Sequence, residues 1–132
     1  MDSLIQPSKC VVKPSSGKGL GVFATELIHK DEIIEECHLL TIPDNALLFV
    51  GDLFNDYRFN WPQKGITLEQ VLPLGFGCIY NHSDNNNAFW RDHPTEKLFQ
   101  FIATKDILPG EEICTYYGDN IYWNTRNYTK VL

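Results

Sequence analysis

No apolar run in the sequence approaches the ~18 residues of a membrane-spanning helix, so no transmembrane segment is expected. The start, Met1-Asp2-Ser3-Leu4, lacks the basic opening and apolar core of a secretory signal. The chain is therefore expected inside the cell, in cytoplasm or nucleus. Close cysteine pairs are missing too. The four cysteines stand singly at 10, 37, 78 and 114, without the spacing of a zinc knuckle or a redox motif. They read as small buried hydrophobes in a reducing compartment. His29, His38 and His93 read as structural or exposed, and no metal site is expected. Positive charge is scarce, with 11 Lys+Arg against 17 Asp+Glu and a net charge of −6. Direct nucleic-acid binding needs a basic footprint and is not expected. The acids at Asp31-Glu32, Glu35-Glu36 and Glu111-Glu112 suit solubility, and they are compatible with a basic peptide partner steered by opposite charge.

What is present is enough for one folded domain: 132 residues, 43% hydrophobic and 13% aromatic. No stretch carries the period of a long amphipathic helix. Short strands punctuated by turns every ~8–12 residues point to a mostly β fold. Strands are expected over residues 10–13, 18–24, 32–41, 88–90, 97–103 and 112–117, with a turn at 14–17 and others at Lys30-Asp31, 92–95 and Pro109-Gly110. A short element is expected over 67–72, and a helical turn could start at Pro43-Asp44-Asn45. Residues 46–61 are aromatic-rich and aperiodic. The pairs Ile33-Ile34 and Leu39-Leu40 break strict alternation, as in a strand buried on both faces over part of its length. Residues 97–103 alternate, which sets Leu98 on the face opposite Phe99 and Phe101.

The stretch Leu74-Gly75-Phe76-Gly77-Cys78-Ile79-Tyr80-Asn81-His82-Ser83 holds the sharpest local signal. It reads as a buried apolar run that ends abruptly in three hydrogen-bonding side chains. Such groups need partners, and a polar ligand is one way to supply them. Gly19-x-Gly21 is not the dinucleotide fingerprint, because the third glycine and the following helix are absent. A tight turn before a strand accounts for it, and close approach to a ligand is the alternative.

Taken in order, these features resemble the SET-domain protein-lysine methyltransferases. The residues carrying the resemblance are Gly17-Lys18-Gly19-Leu20-Gly21-Val22-Phe23-Ala24; then Asn81-His82-Ser83 with Asn87; then Pro109-Gly110-Glu111-Glu112-Ile113 leading to Tyr117-Gly118. Asn86 stands where the family commonly has proline. Asp56-Tyr57-Arg58-Phe59 and Tyr122-Trp123 are similar to small stand-alone members, including a viral one. The likeness runs from about Lys9 to Trp123, which divides the chain into an extension over 1–8, the domain over 9–123 and a tail over 124–132.

The resemblance implies a β-clip of small, mostly antiparallel sheets, with a C-terminal pseudoknot that brings Asn81-His82 beside Tyr117. It implies S-adenosylmethionine as cofactor, bound by Lys18, Gly19, Leu20, Gly21, Asn81 and His82, with Tyr117 beside it and Trp123 over the adenine. Tyr117 is the implied catalytic residue. Tyr57, Phe76, Thr115, Tyr116 and Tyr122 are implied to line the channel for a lysine from a basic protein, a histone tail among the candidates. Many members carry Phe or Tyr at the position of Thr115, where the side chain controls how many methyl groups fit. Cysteine-rich flanking segments are missing, so closure of the channel is expected from Ile121, Tyr122, Trp123 or Tyr128, or from a second subunit in a homodimer. A non-catalytic binding module and a methyltransferase with a non-lysine acceptor are the alternatives.

Overall fold

The computed structural model describes residues 4–43, 57–63 and 69–116. Their regular structure is nine strands: β1 (Cys10–Ser15), β2 (Gly19–Ala24), β3 (Ile33–Ile42), β4 (Phe59–Trp61), β5 (Glu69–Pro73), β6 (Asn81–His82), β7 (Ala88–Asp92), β8 (Leu98–Ala103) and β9 (Glu112–Thr115). They form a four-stranded sheet, β1-β2-β9-β6, and a five-stranded sheet, β4-β5-β3-β8-β7. Every pairing is antiparallel except β6 with β9, which is parallel. The small antiparallel sheets of the expected fold class are present. Asp44 and Asn45 of the helical turn expected to start at Pro43, and the C-terminal segment of the pseudoknot, fall outside the described residues.

β1 and β2 form a hairpin registered from Cys10↔Ala24 to Ser15↔Gly19. The strand runs through Pro14 and Ser15, where a turn was expected. Pro14 is tolerated because β1 is an edge strand and that position needs no ladder donor on its open side. The reversal is compressed into residues 16–18, with Gly17 inside it and Gly19 directly after it, each with φ of 72°. Only glycine adopts that conformation at little steric cost.

β3 pairs with β8 along its first half and with β5 along its second. Consecutive residues Ile34 and Glu35 are both buried, as expected for a strand covered on both faces. β8 departs from the expected inside-outside alternation, since all six of its residues are buried. On one face Phe99 meets Phe59 and Trp90, at centroid distances of 5.5 and 4.7 Å, and Phe101 stacks on Tyr80 at 4.6 Å. On the other face Gln100 donates to Glu36 and accepts from Arg91. A buried amide with both ends bonded lets an interior strand carry a polar residue. Val22, Ala24 and Ile113 of the first sheet and Ile34, Val71, Phe99 and Phe101 of the second join one core.

The stretch before Asn81 is not a buried strand. Residues 74–79 are a chain of turns, with Leu74 48% exposed and Gly75 at φ 76°. The turns are packed tightly from below. A Cβ on Gly75 would lie 2.8 Å from Glu35 Oε2, and one on Gly77 would lie 2.5 Å from Pro73 Cβ. Glu35, which the sequence grouped with surface acids, is 1% exposed. It accepts hydrogen bonds from the Tyr80 hydroxyl at 2.6 Å and the Phe76 amide at 3.3 Å. Burial raises its pKa above the ordinary carboxylate value, outweighing the Tyr80 and Phe76 hydrogen bonds that pull it down. The acid is a fastener between β3 and the turns. Ile5, ahead of the expected domain boundary, accepts the Glu36 amide at 2.9 Å.

Candidate active site

β9 lies between the two segments that the sequence marked as ligand-contacting. On one side it pairs with β2 (Val22↔Ile113, Phe23↔Glu112), and on the other with β6 (Asn81↔Cys114, His82↔Thr115). Three motifs far apart in the chain are thereby neighbours in one sheet.

They are joined by a single carboxylate. Glu112 Oε2 accepts from Asn81 Nδ2 at 2.6 Å, and Oε1 accepts from the Ser15 hydroxyl at 2.9 Å. Asn81 Nδ2 also donates to the Leu20 carbonyl at 3.1 Å. A Cβ on Gly21 would lie 2.5 Å from Glu112 Oε2 and 3.0 Å from Asn81 Nδ2. Gly21 is therefore required by the hydrogen-bonded pair that packs against its Cα. Asn81 is 4% exposed and Ser15 8%, so these bonds are shielded from water and a missing partner would be costly.

Asn87 holds the same strand through its backbone. Its Nδ2 donates to the Glu112 carbonyl and its Oδ1 accepts the Cys114 amide, each at 2.8 Å. Ser83 N–H donates to the Thr115 carbonyl at 3.0 Å, which carries the β6–β9 contact past the strand end. Asn86, in the place of the usual proline, donates to the Ala88 carbonyl at 2.9 Å and braces the loop with a side-chain bond instead of a ring. His82 faces Asp84 Oδ1 at 2.9 Å, and its ring lies 5.0 Å from that of Tyr116.

Of the candidate cofactor contacts, Lys18 and Gly19 lie exposed at the hairpin end, Leu20 and Gly21 follow in β2, and Asn81 and His82 are two strands away across β9. Of the channel candidates, Thr115 is 2% exposed, Tyr116 is 46% exposed against His82, and Tyr57 is 8% exposed. The Cys78 thiol donates to the Tyr57 carbonyl at 3.7 Å, which sets Tyr57 beside the 74–79 turns. Phe76 is half-buried against the core. Tyr117, Tyr122 and Trp123 lie outside the described residues. Burial pushes the Cys78 thiol up to about 12, so it is protonated at neutral pH and is not a nucleophile.

The sequence reading assigned no role to Ser15, Glu112, Asn87 or Asp84. A signal for Glu112 was present: an acid that opens an otherwise apolar strand and shares a face with Cys114 needs a partner where that face is covered. Ser15 carried no such signal, because its partner lies in a strand that only the fold brings near.

Comparison with known proteins agrees with this geometry. Residues 19–118 match the SET domain family model. A histone-lysine N-methyltransferase of Schizosaccharomyces pombe, H3 lysine-37 specific by name, is 27% identical over 114 residues, covering 85% of this chain and 75% of the relative. The N-lysine methyltransferase KMT5A-A of Danio rerio is 31% identical over 120 residues, covering 83% of this chain but only 35% of its own length. A solved structure from Plasmodium falciparum, named as a candidate histone methyltransferase, superposes with a TM-score of 0.72 at 32% identity, covering 86% of this chain and 96% of that one. With its motifs converging on β9 and most of its length matched, the chain belongs to the SET-domain family of protein-lysine methyltransferases.

Proposed function

We propose that this protein transfers a methyl group from S-adenosylmethionine to the side-chain amine of a lysine in a basic protein segment. The observation that carries the reading is the placement of β6 against β9. It sets Asn81 beside Cys114 and His82 beside Thr115, two residues before Tyr117. The residues suit an adenosyl amino acid. The hairpin end offers backbone groups at an exposed turn, Asn81 offers an amide held in one orientation, and the His82–Tyr116 pair offers aromatic surface. When bound, S-adenosylmethionine supplies a methyl group activated by a sulfonium.

Lys18 to Gly21 and Asn81 hold the amino-acid end, and the backbone of His82 meets the adenine, with Trp123 assigned to its face. Tyr57 and Tyr117 form the channel walls, with Phe76, Thr115, Tyr116 and Tyr122 contributing. The channel must deliver the amine neutral. Free lysine titrates near ~10.4, so a tenth neutral at pH 7 needs a fall of ~2.4 units, about 3 kcal/mol. Desolvation between aromatic walls acts in that direction, as does a nearby positive charge, so no dedicated strong base is required. The Tyr117 hydroxyl orients the amine, which lowers the barrier by positioning and electrostatics. The small Thr115 leaves the number of methyl groups open. A basic segment, a histone tail among the candidates, fits the net charge of −6.

Incubation with methyl-labelled cofactor and a pool of basic peptides tests the proposal. Label on lysine is the expected result. Label on another residue would redirect the acceptor, and cofactor binding without transfer would leave a non-catalytic module.

A further inference from the structure

Glu35 is a buried acid that the proposed chemistry leaves unused. We propose that Glu35 is a positioning residue for the lysine channel, holding the Phe76 side of it through the backbone of the 74–79 turns, while the cofactor side is held separately. The inference rests on the proposed methyl transfer and deepens it.

The carboxyl group takes both ends of the segment that carries Phe76. Oε2 accepts the Phe76 amide at 3.3 Å, and Oε1 accepts the Tyr80 hydroxyl at 2.6 Å. Between them the Ile79 amide donates to the Phe76 carbonyl at 2.8 Å, which closes a turn over the acid. Gly75, at φ 76°, brings the backbone against the same group, since a Cβ there would lie 2.8 Å from Oε2. A site residue on a turn needs a rigid scaffold to position it. Here the scaffold is β3 and β8: Glu35 pairs with Phe101 across the two strands, and Tyr80 stacks on the same Phe101 at 4.6 Å. The Cys78 thiol, within the anchored segment, donates to the Tyr57 carbonyl at 3.7 Å. A second channel candidate is thereby attached to the turns that Glu35 holds.

The cofactor candidates have other supports. Asn81 and His82 are registered on β9 opposite Cys114 and Thr115, and Asn81 Nδ2 donates to Glu112 and to the Leu20 carbonyl. Gly19, Leu20 and Gly21 are registered on β1, and the Lys18 amide donates to the Ser15 carbonyl at 3.0 Å. None of these contacts passes through Glu35. Removing the acid therefore loosens the acceptor side of the site and leaves the cofactor side in place.

Steady-state kinetics at saturating S-adenosylmethionine, with the basic peptide that the wild-type chain labels most strongly, test this beside calorimetry of S-adenosylmethionine. Glu35→Ala is expected to raise the peptide KM about 10-fold, with cofactor affinity unchanged. Glu35→Gln is expected to restore KM to near the wild-type value. Its oxygen can accept the Phe76 amide, and its NH2 can donate to the Tyr80 hydroxyl oxygen. Where Glu35→Ala does not fold, Gly75→Ala presses a methyl group on the same carboxyl oxygen from the turn side, and the same split is expected. Loss of active enzyme through instability alone would lower kcat and leave KM, so it is told apart. An unchanged peptide KM in either alanine variant that folds would overturn the inference. So would an equal loss of cofactor affinity, or a Glu35→Gln variant that folds but keeps the raised KM. Absence of methyl transfer by the wild-type chain would overturn the proposed activity itself, and this inference with it.

Discussion

Two glutamates sit under the two ends of the same segment, and they hold it in different ways. Glu35 lies beneath the 74–79 turns, 1% exposed, and takes its hydrogen bonds from a tyrosine hydroxyl and a backbone amide. Glu112 lies beside the strand that follows and takes its bonds from a serine and an asparagine on two other strands. The first is surrounded by core, where desolvation works against its charge. The second is half-buried on the interior strand β9, where one of its partners, Asn81, is itself a candidate ligand-holding group. The same residue type thus fixes a scaffold at one end and ties together strands of the candidate site at the other. What separates the roles is the donor each binds: Tyr80 is a fully buried core side chain, whereas Asn81 is one of the residues proposed to hold the cofactor.

The largest effect expected in the site region is that of Tyr117→Phe. It should lower methyl transfer about 100-fold or more by removing a positioning hydroxyl. Cofactor affinity and melting temperature should stay unchanged, as measured by steady-state kinetics, calorimetry and thermal unfolding. Next comes the scaffold region. Tyr80→Phe deletes the donor to Glu35 Oε1 in the core and should cost about 1–3 kcal/mol of stability in urea titration, with cofactor affinity retained. Third, Asn81→Ala should weaken cofactor binding about 10-fold by calorimetry, an effect that Tyr80→Phe should not reproduce. Equal loss of cofactor affinity in both variants would erase the distinction between the two ends.

The smallest effect is a slope. The folded-state pKa of Glu35 is raised above the ordinary 4.5, so the native chain holds this proton over a range where the unfolded chain has released it. The stability from Glu35 is therefore fully present below about 4.5 and is lost as pH rises through the raised value. Glu35→Gln should remove that part of the slope in urea unfolding measured across mildly acidic to neutral pH. An unchanged slope would place the linkage on another group.

Much of the strand order of events was legible in sequence. β1, β2, β3, β7, β8 and β9 all fall where apolar runs and turn residues set them, because those signals are local. Failures came where the deciding contact was distant. Leu74 to Ile79 reads as an apolar strand, but a buried carboxylate from β3 accepts the Phe76 amide and packs against Gly75, so the segment turns. β8 alternates in sequence, but β7 and β3 flank it and both its faces are covered, so the alternation carries no inside or outside. Asn81, His82 and the glycines could be singled out because their residue types are unusual in place. Asn87 could be singled out by resemblance but not given a role, and Ser15 could not be singled out at all, since the bonds that define both are made to a strand that only the fold brings near.

The most direct test of the central claim is tandem mass spectrometry of a basic protein substrate after incubation with the wild-type chain and S-adenosylmethionine, beside a Tyr117→Phe control. The account predicts added methyl groups on a lysine side chain with wild type and little or none with the control. Methylation confined to non-lysine residues, or equal lysine methylation by both chains, would contradict it.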